Sequence, residues 1–246
     1  KSRSAGSLPR WGPERAGKAL TTRTSHRWQD RPGSFDALHA AEPFPTDNAL
    51  GIPCLAHVSI ERIPAWLAPY RTRIRAGEPP EDGAVHFFLD DYRFETVWSR
   101  PRKALAALAP YRTLLSPDFS LYRDWPLALQ MWNVYRNRWC GAFWQSQGFT
   151  VIPSVSWSTA ESYDFCFLAL PRRSVVAVSA LGVRLEDSLE DYLFREGFRE
   201  MVARLGPAVV LAYGPLPAGC REVVEVVEYP TRWTNIRNAR RERIQK

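Results

Sequence analysis

One stretch, residues 114–157 (LLSPDFSLYRDWPLALQMWNVYRNRWCGAFWQSQGFTVIPSVSW), limits most tightly what this chain can fold into. A short apolar run from Leu114 to Ser116 stops at Pro117 and Asp118. Asp124 then stands two residues before Pro126, the order in which a capping side chain and a first-turn proline open a helix. The helix is expected from about Pro126 to Gln147, ending at Gly148, a residue that tolerates the left-handed backbone closing many helices. Thr150 to Val155 is β-branched and apolar and reads as a buried strand. Strand, long helix and strand in this order make a βαβ unit, whose two strands pair in parallel.

The same alternation runs on either side. Ile63 to Arg75 reads as a helix. Val85 to Leu89 reads as a strand ending at Asp90 and Asp91, and a helix lies within Arg93 to Leu108, interrupted near Pro101. After the central unit come a short helix near Tyr163 to Leu170 and a strand from Ser174 to Ser179. An amphipathic helix from Leu189 to Leu205, a strand from Ala208 to Tyr213 and a last strand over Val223 to Val227 follow. Successive βα units imply an α/β protein with a mainly parallel sheet, arranged as a small or incomplete TIM-like barrel, with an open doubly wound sheet as the alternative. No GxGxxG follows the first strand and GxxxxGK[ST] is absent, so dinucleotide and P-loop binding lack their motifs.

Charge divides the chain into three. Residues 1–34 hold eight Lys or Arg against two acids, and residues 230–246 hold six against one. With a net charge of +7, the part between is left at −4. The organisation expected is a basic, Pro/Gly/Ser/Arg-rich arm over 1–50, an α/β domain over 51–229 and a basic tail over 230–246. Two basic arms on a slightly acidic body fit tethering to a polyanion, and Trp11, Trp28 and Phe35 among the arginines of the first arm could stack on bases. The partner expected is nucleic acid, DNA ahead of RNA. No run of residues approaches a membrane span. Cys54, Cys140, Cys166 and Cys220 are far apart and the four histidines lack metal-ligand spacing, which fits free thiols in a cytoplasmic protein rather than a zinc site.

The long central helix has an unusual distribution of residues. At about 100° per residue, Ala128, Trp132, Tyr135, Trp139 and Phe143 share one face, the expected core side. The opposite face carries Gln130, Asn133, Asn137, Gly141 and Trp144, without the Lys and Glu of an ordinary solvent face. Amides beside Gly and Trp point to a second surface that meets something: another part of the chain, another protein, or a ligand.

In a parallel α/β fold, ligands bind outside the carboxyl ends of the strands. That rule selects Asp90 and Asp91, Asp118 with Ser116, Ser156 and Trp157, Ser179, and Tyr213. Asp90, Asp91 and Asp118 are the candidate catalytic residues, since carboxylates at the ends of consecutive strands can share acid–base work. Asp90 with Asp118 could also hold Mg²⁺, the one cofactor these residues bring to mind. Ser116, Gln130, Asn133, Arg136, Asn137, Arg138, Trp144 and Trp157 are candidate binding residues, Arg136 and Arg138 as phosphate clamps. Capping of the next helix by the aspartates, and an ion pair for each arginine, are the competing structural roles.

The motifs HFFLDDYRFE, LSPDFSLY, QMWNVYRNRWCGAFWQ and VIPSVSWS, taken together and in this order, resemble an uncharacterised domain-of-unknown-function family carried by bacteriophages, plasmids and integrative elements. The resemblance covers about Gly51 to Gly214. It implies a mobile-element protein working near nucleic acid and implies no reaction. A small-molecule or sugar-processing barrel enzyme using paired Asp, and a non-catalytic interaction module, are the two other functions the residues allow.

Overall fold

A computed structural model describes residues 38–39, 42–72, 77–184, 186–231 and 234. The chain divides after Ala41, and the architecture below is that of the part from Glu42 onward. Most of both basic arms, with Trp11, Trp28 and Phe35, lies outside the described residues.

Seven strands are named in chain order: β1 (Trp66–Pro69), β2 (Gly83–His86), β3 (Thr113–Leu115), β4 (Thr150–Ile152), β5 (Val175–Ser179), β6 (Val209–Tyr213) and β7 (Val226–Tyr229). The helices are α1 (Thr96–Ser99), α2 (Pro101–Leu108), α3 (Leu127–Ser146), α4 (Tyr163–Cys166) and α5 (Ser188–Leu205). The strands form a four-stranded sheet, β1-β2-β3-β4, and a three-stranded sheet, β5-β6-β7, and every pairing is parallel. A parallel bridge between Ser154 and Ala177 links the two sheets. There Val155 N–H donates to the Ala177 carbonyl and Ala177 N–H to the Pro153 carbonyl, each at 2.8 Å. Spatial order therefore follows chain order throughout. Among the described residues no ladder joins β7 back to β1, so the sheets do not close; the Tyr229 hydroxyl, which donates to the Pro64 carbonyl, reaches across that seam.

Side chains alternate across a strand with a period of two, and here the two sets have different partners. Val85, Leu114 and Val151 pack with Val97, Trp98, Trp139 and Phe143 of the helices. Val176, Val178, Val210 and Ala212 pack with Phe194, Phe198 and Met201 of α5. The other set, with Ala84, Leu115, Ile152, Val175, Ala177, Val209, Leu211 and Tyr229, joins residues of both sheets in one cluster. Helices thus clothe one face of each sheet, and the opposite faces meet each other. An open doubly wound sheet carries helices on both faces, so that alternative does not describe this chain.

Several expected elements are corrected. The segment expected as a helix over 63–75 contains β1 instead, with Ala65 N–H bonded to the Asp82 carbonyl at 2.7 Å and Tyr70 N–H to the His86 carbonyl at 3.0 Å. Pro69 explains it: a proline in a helix interior removes a hydrogen bond and clashes with the preceding turn, whereas an edge strand accepts it. Asp124 does not cap α3, whose N-cap is Pro126. Asp187 does cap α5, its carboxylate accepting from Leu189 N–H at 3.0 Å and Glu190 N–H at 3.3 Å. The α3 helix ends where Gly148 takes φ +90°. Its faces also differ from the expected ones. Ala128 is exposed and Trp132 and Tyr135 are half-buried, while Gln130, Asn133, Asn137, Gly141 and Trp144 are all buried.

Candidate functional site

The loops that leave the carboxyl ends of the strands enclose a cleft of about 630 Å³. Its wall takes Asp90 and Arg93 from the β2 side, Asp118 and Tyr122 after β3, and Ser156 and Trp157 after β4. Ser179 at the end of β5, Tyr213 at the end of β6 and Thr231 after β7 complete it. The strand-end rule thus places Asp90, Asp118 and Trp157 on one concave surface.

Asp118 follows Pro117 immediately beyond β3. Its Oδ1 is shielded and has no hydrogen-bond partner among the described residues, although the residue as a whole keeps partial access to the cleft. Burial pushes its carboxyl from the ordinary 3.8 up to about 7, Ser156 draws it back by a hydrogen bond, the Asp91 charge raises it further and the Arg138 charge lowers it. A carboxyl at that value exists in both protonation states near neutral pH, which is what a general acid or base requires. Asp90 is exposed on the same wall.

Asp91 has a different task. It lies off the cleft wall, and its carboxylate accepts from Ser120 N–H at 3.2 and 3.3 Å and from the Ser120 hydroxyl at 2.8 Å. It pins the loop that carries Asp118. Ser116 is likewise structural in its bonding: it is buried, and its hydroxyl oxygen accepts from Ser154 N–H at 2.8 Å, clasping the ends of β3 and β4.

The amide face of α3 does the rest of the positioning. Asn137 Nδ2 donates to the Pro117 carbonyl, which immediately precedes Asp118, at 2.7 Å and to the Ser154 carbonyl at 3.2 Å. Asn133 Nδ2 donates to the Ser120 carbonyl at 2.7 Å, and Gln130 Nε2 to the Trp125 carbonyl at 2.9 Å. Each amide thus supplies a donor to a loop carbonyl. Arg138 is buried, donates to the Cys166 carbonyl at 2.7 Å and to Asn137 Oδ1 at 2.6 Å, and is lowered by burial to about 10, so it stays charged at neutral pH. Arg136 grips both oxygens of Glu95 at 2.9 and 3.0 Å and lies 3.9 Å from the centroid of the Phe119 ring. Trp144 is buried and stacks on Phe87 at 5.2 Å. None of Gln130, Asn133, Arg136, Asn137, Arg138 and Trp144 is on the cleft wall. The amide face of α3 thus meets another part of the chain, one of the partners its composition allowed.

Of the aromatic floor, sequence reasoning picked out Tyr213 and passed over Phe88 and His86. Phe88 and Tyr213 stack at 5.5 Å, and His86 lies behind them, 4.1 Å from Tyr213. His86 Nδ1 accepts from Phe88 N–H at 3.2 Å, and its Nε2 has no partner among the described residues. Burial depresses this imidazole from 6.5 to about 3, so it is neutral. Arg93 and Tyr122 were missed as well. The only signal for them was their place in the loops after β2 and β3. Among the described residues no three or more His, Cys, Asp and Glu side chains are grouped to hold a metal. A Mg²⁺ at Asp90 and Asp118 would have to draw its remaining ligands from water or from ligand phosphates. No helix among them is long and apolar enough to cross a membrane.

A family model described as "Domain of unknown function (DUF4417)" matches residues 44–230 of the chain. The Gene 1 proteins of Mycobacterium phage L5 and Mycobacterium phage D29 are each 45% identical to it over 214 residues. Those alignments cover 86% of this chain, with 92% of the L5 protein and 78% of the D29 protein. No solved structure matches it.

Proposed function

The chain belongs to the DUF4417 domain family, and on that footing we propose that it is a phage-type protein that associates with nucleic acid and carries out proton transfer in the strand-end cleft through Asp118. The single observation that carries this reading is a carboxyl held near neutrality by burial on the wall of an open cleft. Such a group gives or takes a proton at physiological pH without help from a cofactor. Asp90, exposed on the same wall, is its partner, and together they are the place where a Mg²⁺ bound to ligand phosphates would sit. The finer architecture belongs to the same reading: seven parallel strands in chain order, with their inner faces joined in one cluster, are an incomplete barrel whose mouth is the cleft.

The nucleic-acid partner is supported by charge. The fourteen Lys and Arg of residues 1–34 and 230–246 flank a body of net −4. Each phosphate neutralised on duplex DNA contributes roughly −0.9 to the slope of log K against log salt, so engagement of about six arm cations gives a slope near −5. The test has two parts. A salt titration compares the full chain with a variant whose arm Lys and Arg are all Gln, and the slope should flatten. A labelled oligonucleotide is then incubated with the full chain and with Asp118→Asn, with and without Mg²⁺, and products are resolved by mass. A product lost in the variant supports the reading; absence of both binding and product overturns it.

A small-molecule or sugar-processing enzyme is the second reading, favoured by the cleft volume, which suits a ligand of drug size. A protein-interaction module built on the amides of α3 loses its motive, because those amides are bonded internally.

A further inference from the structure

Three groups on the cleft wall stand after neighbouring strands. Arg93 follows β2, Asp118 follows β3 and Trp157 follows β4. These strands pair in that order, β2 with β3 and β3 with β4. Neighbouring strands lie about 4.8 Å apart, so the loops that carry the cation and the indole leave the sheet roughly 10 Å from each other, with the loop of the carboxyl between them.

Each group is prepared for a ligand in a different way. The Trp157 indole is held in place by α5. It lies 5.2 Å from the Phe194 ring and 6.5 Å from the Phe198 ring. The helix approaches so closely at Gly197 that a Cβ there would lie 2.2 Å from the indole Cδ1 and Nε1. A ring wedged in this way is a platform already formed, so a flat ligand stacks on it with little loss of side-chain freedom. Arg93 is exposed and makes no ion pair among the described residues. Arg138 is buried and also lacks a carboxylate partner among them; it donates to the carbonyls of Cys166 and Leu168 and to Asn137 Oδ1, and its charge reaches Asp118. A buried cation without a paired anion favours negative charge nearby. Asp118 lies between the other two groups. Its carboxyl, held near neutrality by burial, bonds to Ser156 and keeps a bare Oδ1. A carboxyl and a hydroxyl side by side can both donate to and accept from the hydroxyls of a sugar.

We propose that the cleft binds a nucleoside monophosphate, with its base against Trp157, its phosphate on Arg93 and its sugar between them, opposite Asp118. This rests on the reading that the strand-end cleft is where the protein works, and names what enters it; it makes no use of the basic arms. A flat ring, a hydroxyl-bearing middle and an anionic end complement an indole, a carboxyl and a guanidinium set out in the same order. Guanidinium holds phosphate through parallel hydrogen bonds, and stacking on an aromatic ring is open to every base. A cleft of about 630 Å³ falls in the range that encloses one small ligand. A sugar phosphate would leave the indole unused, and a nucleoside would leave the guanidinium unused.

The experiment is isothermal titration calorimetry with AMP, GMP, CMP and UMP, with and without Mg²⁺. The monophosphate that binds best is then compared with its own nucleoside and with ribose 5-phosphate. Four full-length proteins are used: the unaltered chain, Arg93→Gln, Trp157→Leu and Trp157→Phe. The unaltered chain should bind at least one monophosphate at a single site, more tightly than either fragment. Arg93→Gln should weaken the monophosphate by about ten-fold, as loss of a charged hydrogen bond does, and leave the nucleoside unchanged. Trp157→Leu should weaken the monophosphate and the nucleoside by about ten- to a hundred-fold and leave ribose 5-phosphate unchanged. The ligand that each variant still binds normally reports an intact cleft, and Trp157→Phe, which keeps a ring, should recover most of the loss. A loss shared equally by all three ligands, or no loss in either variant, overturns the arrangement. No monophosphate bound by the unaltered chain overturns the proposal outright. The proton-transfer reading stands or falls separately, on the product lost in Asp118→Asn.

Discussion

Replacing Asp118 with Asn should change how stability depends on pH. Burial holds the folded carboxyl at about 7, against 3.8 for the free group. Below about pH 4 both folded and unfolded chains carry the proton and the residue is neutral to stability. Between about pH 4 and 7 the unfolded chain releases the proton while the folded chain keeps it, so stability falls as pH rises. Above 7 the penalty is complete. A rise of roughly 3 units at about 1.4 kcal/mol each gives an upper value of about 4 kcal/mol. The access that Asp118 retains to the cleft reduces this to about 2 kcal/mol by solvent screening. Urea unfolding followed by tryptophan fluorescence at pH 4.5, 6 and 8 supplies the two stability curves, with ten Trp as the signal. The parent should lose about 2 kcal/mol more than Asp118→Asn between pH 4.5 and 8. The comparison isolates this one residue, since other titrating groups are common to both proteins. Parallel curves would refute the claim that Asp118 is held near neutrality, and with it the acid–base role.

His86 should oppose Asp118. Its folded value of about 3 lies below the ordinary 6.5, so its contribution is present above pH 6.5 and lost as pH falls toward 3; His86→Phe should flatten that acid-side loss in the same urea series, at a constant cost of about 1–3 kcal/mol for the orphaned Phe88 N–H. Gly197→Ala should cost about 1–3 kcal/mol and displace Trp157 from the cleft wall, because a Cβ at Gly197 would lie 2.2 Å from that indole; thermal unfolding and the near-ultraviolet circular dichroism of the indoles check both. Iodoacetamide at pH 8, read by intact mass, should modify Cys54 first and leave Cys140, Cys166 and Cys220, which are buried with their thiols pushed up by burial, unreacted in the folded protein.

The parallel α/β character could be read directly, because Val85, Leu114 and Thr150 begin runs whose β-branched and apolar residues end at turn formers. The error at β1 came from weighing periodicity above chemistry: the apolar spacing from Ile63 onward fits a helix, but Pro69 does not. For the site, the strand-end rule found Asp90, Asp118 and Trp157, since it depends only on topology. Roles were not legible. Nothing in the local sequence distinguishes Asp118, shielded and near neutrality, from Asp91, fully employed in holding Ser120. That difference arises from loops brought together by α3. The place of His86 and Phe88 beside Tyr213 was hidden for the same reason, because that floor joins the end of β2 to the end of β6 across more than a hundred residues.

Two parallel sheets with no ladder between β7 and β1 leave those two strands with bare backbone groups, and such edges invite a second chain to add a strand, which is how aggregation begins. The seam beside Tyr229 and Pro64 carries its own protection. Tyr70 N–H points to β2, so by the alternation of a parallel strand Pro69 turns its N-side toward the open edge, where it has no hydrogen to offer. On β7, Glu228 puts a carboxylate on the matching edge and Arg221 pairs with it. Exchanging Glu228, which is not on the cleft wall, for a β-branched apolar residue should make the protein prone to precipitate as it is concentrated, and exchanging Pro69, which is on that wall, should add to the effect.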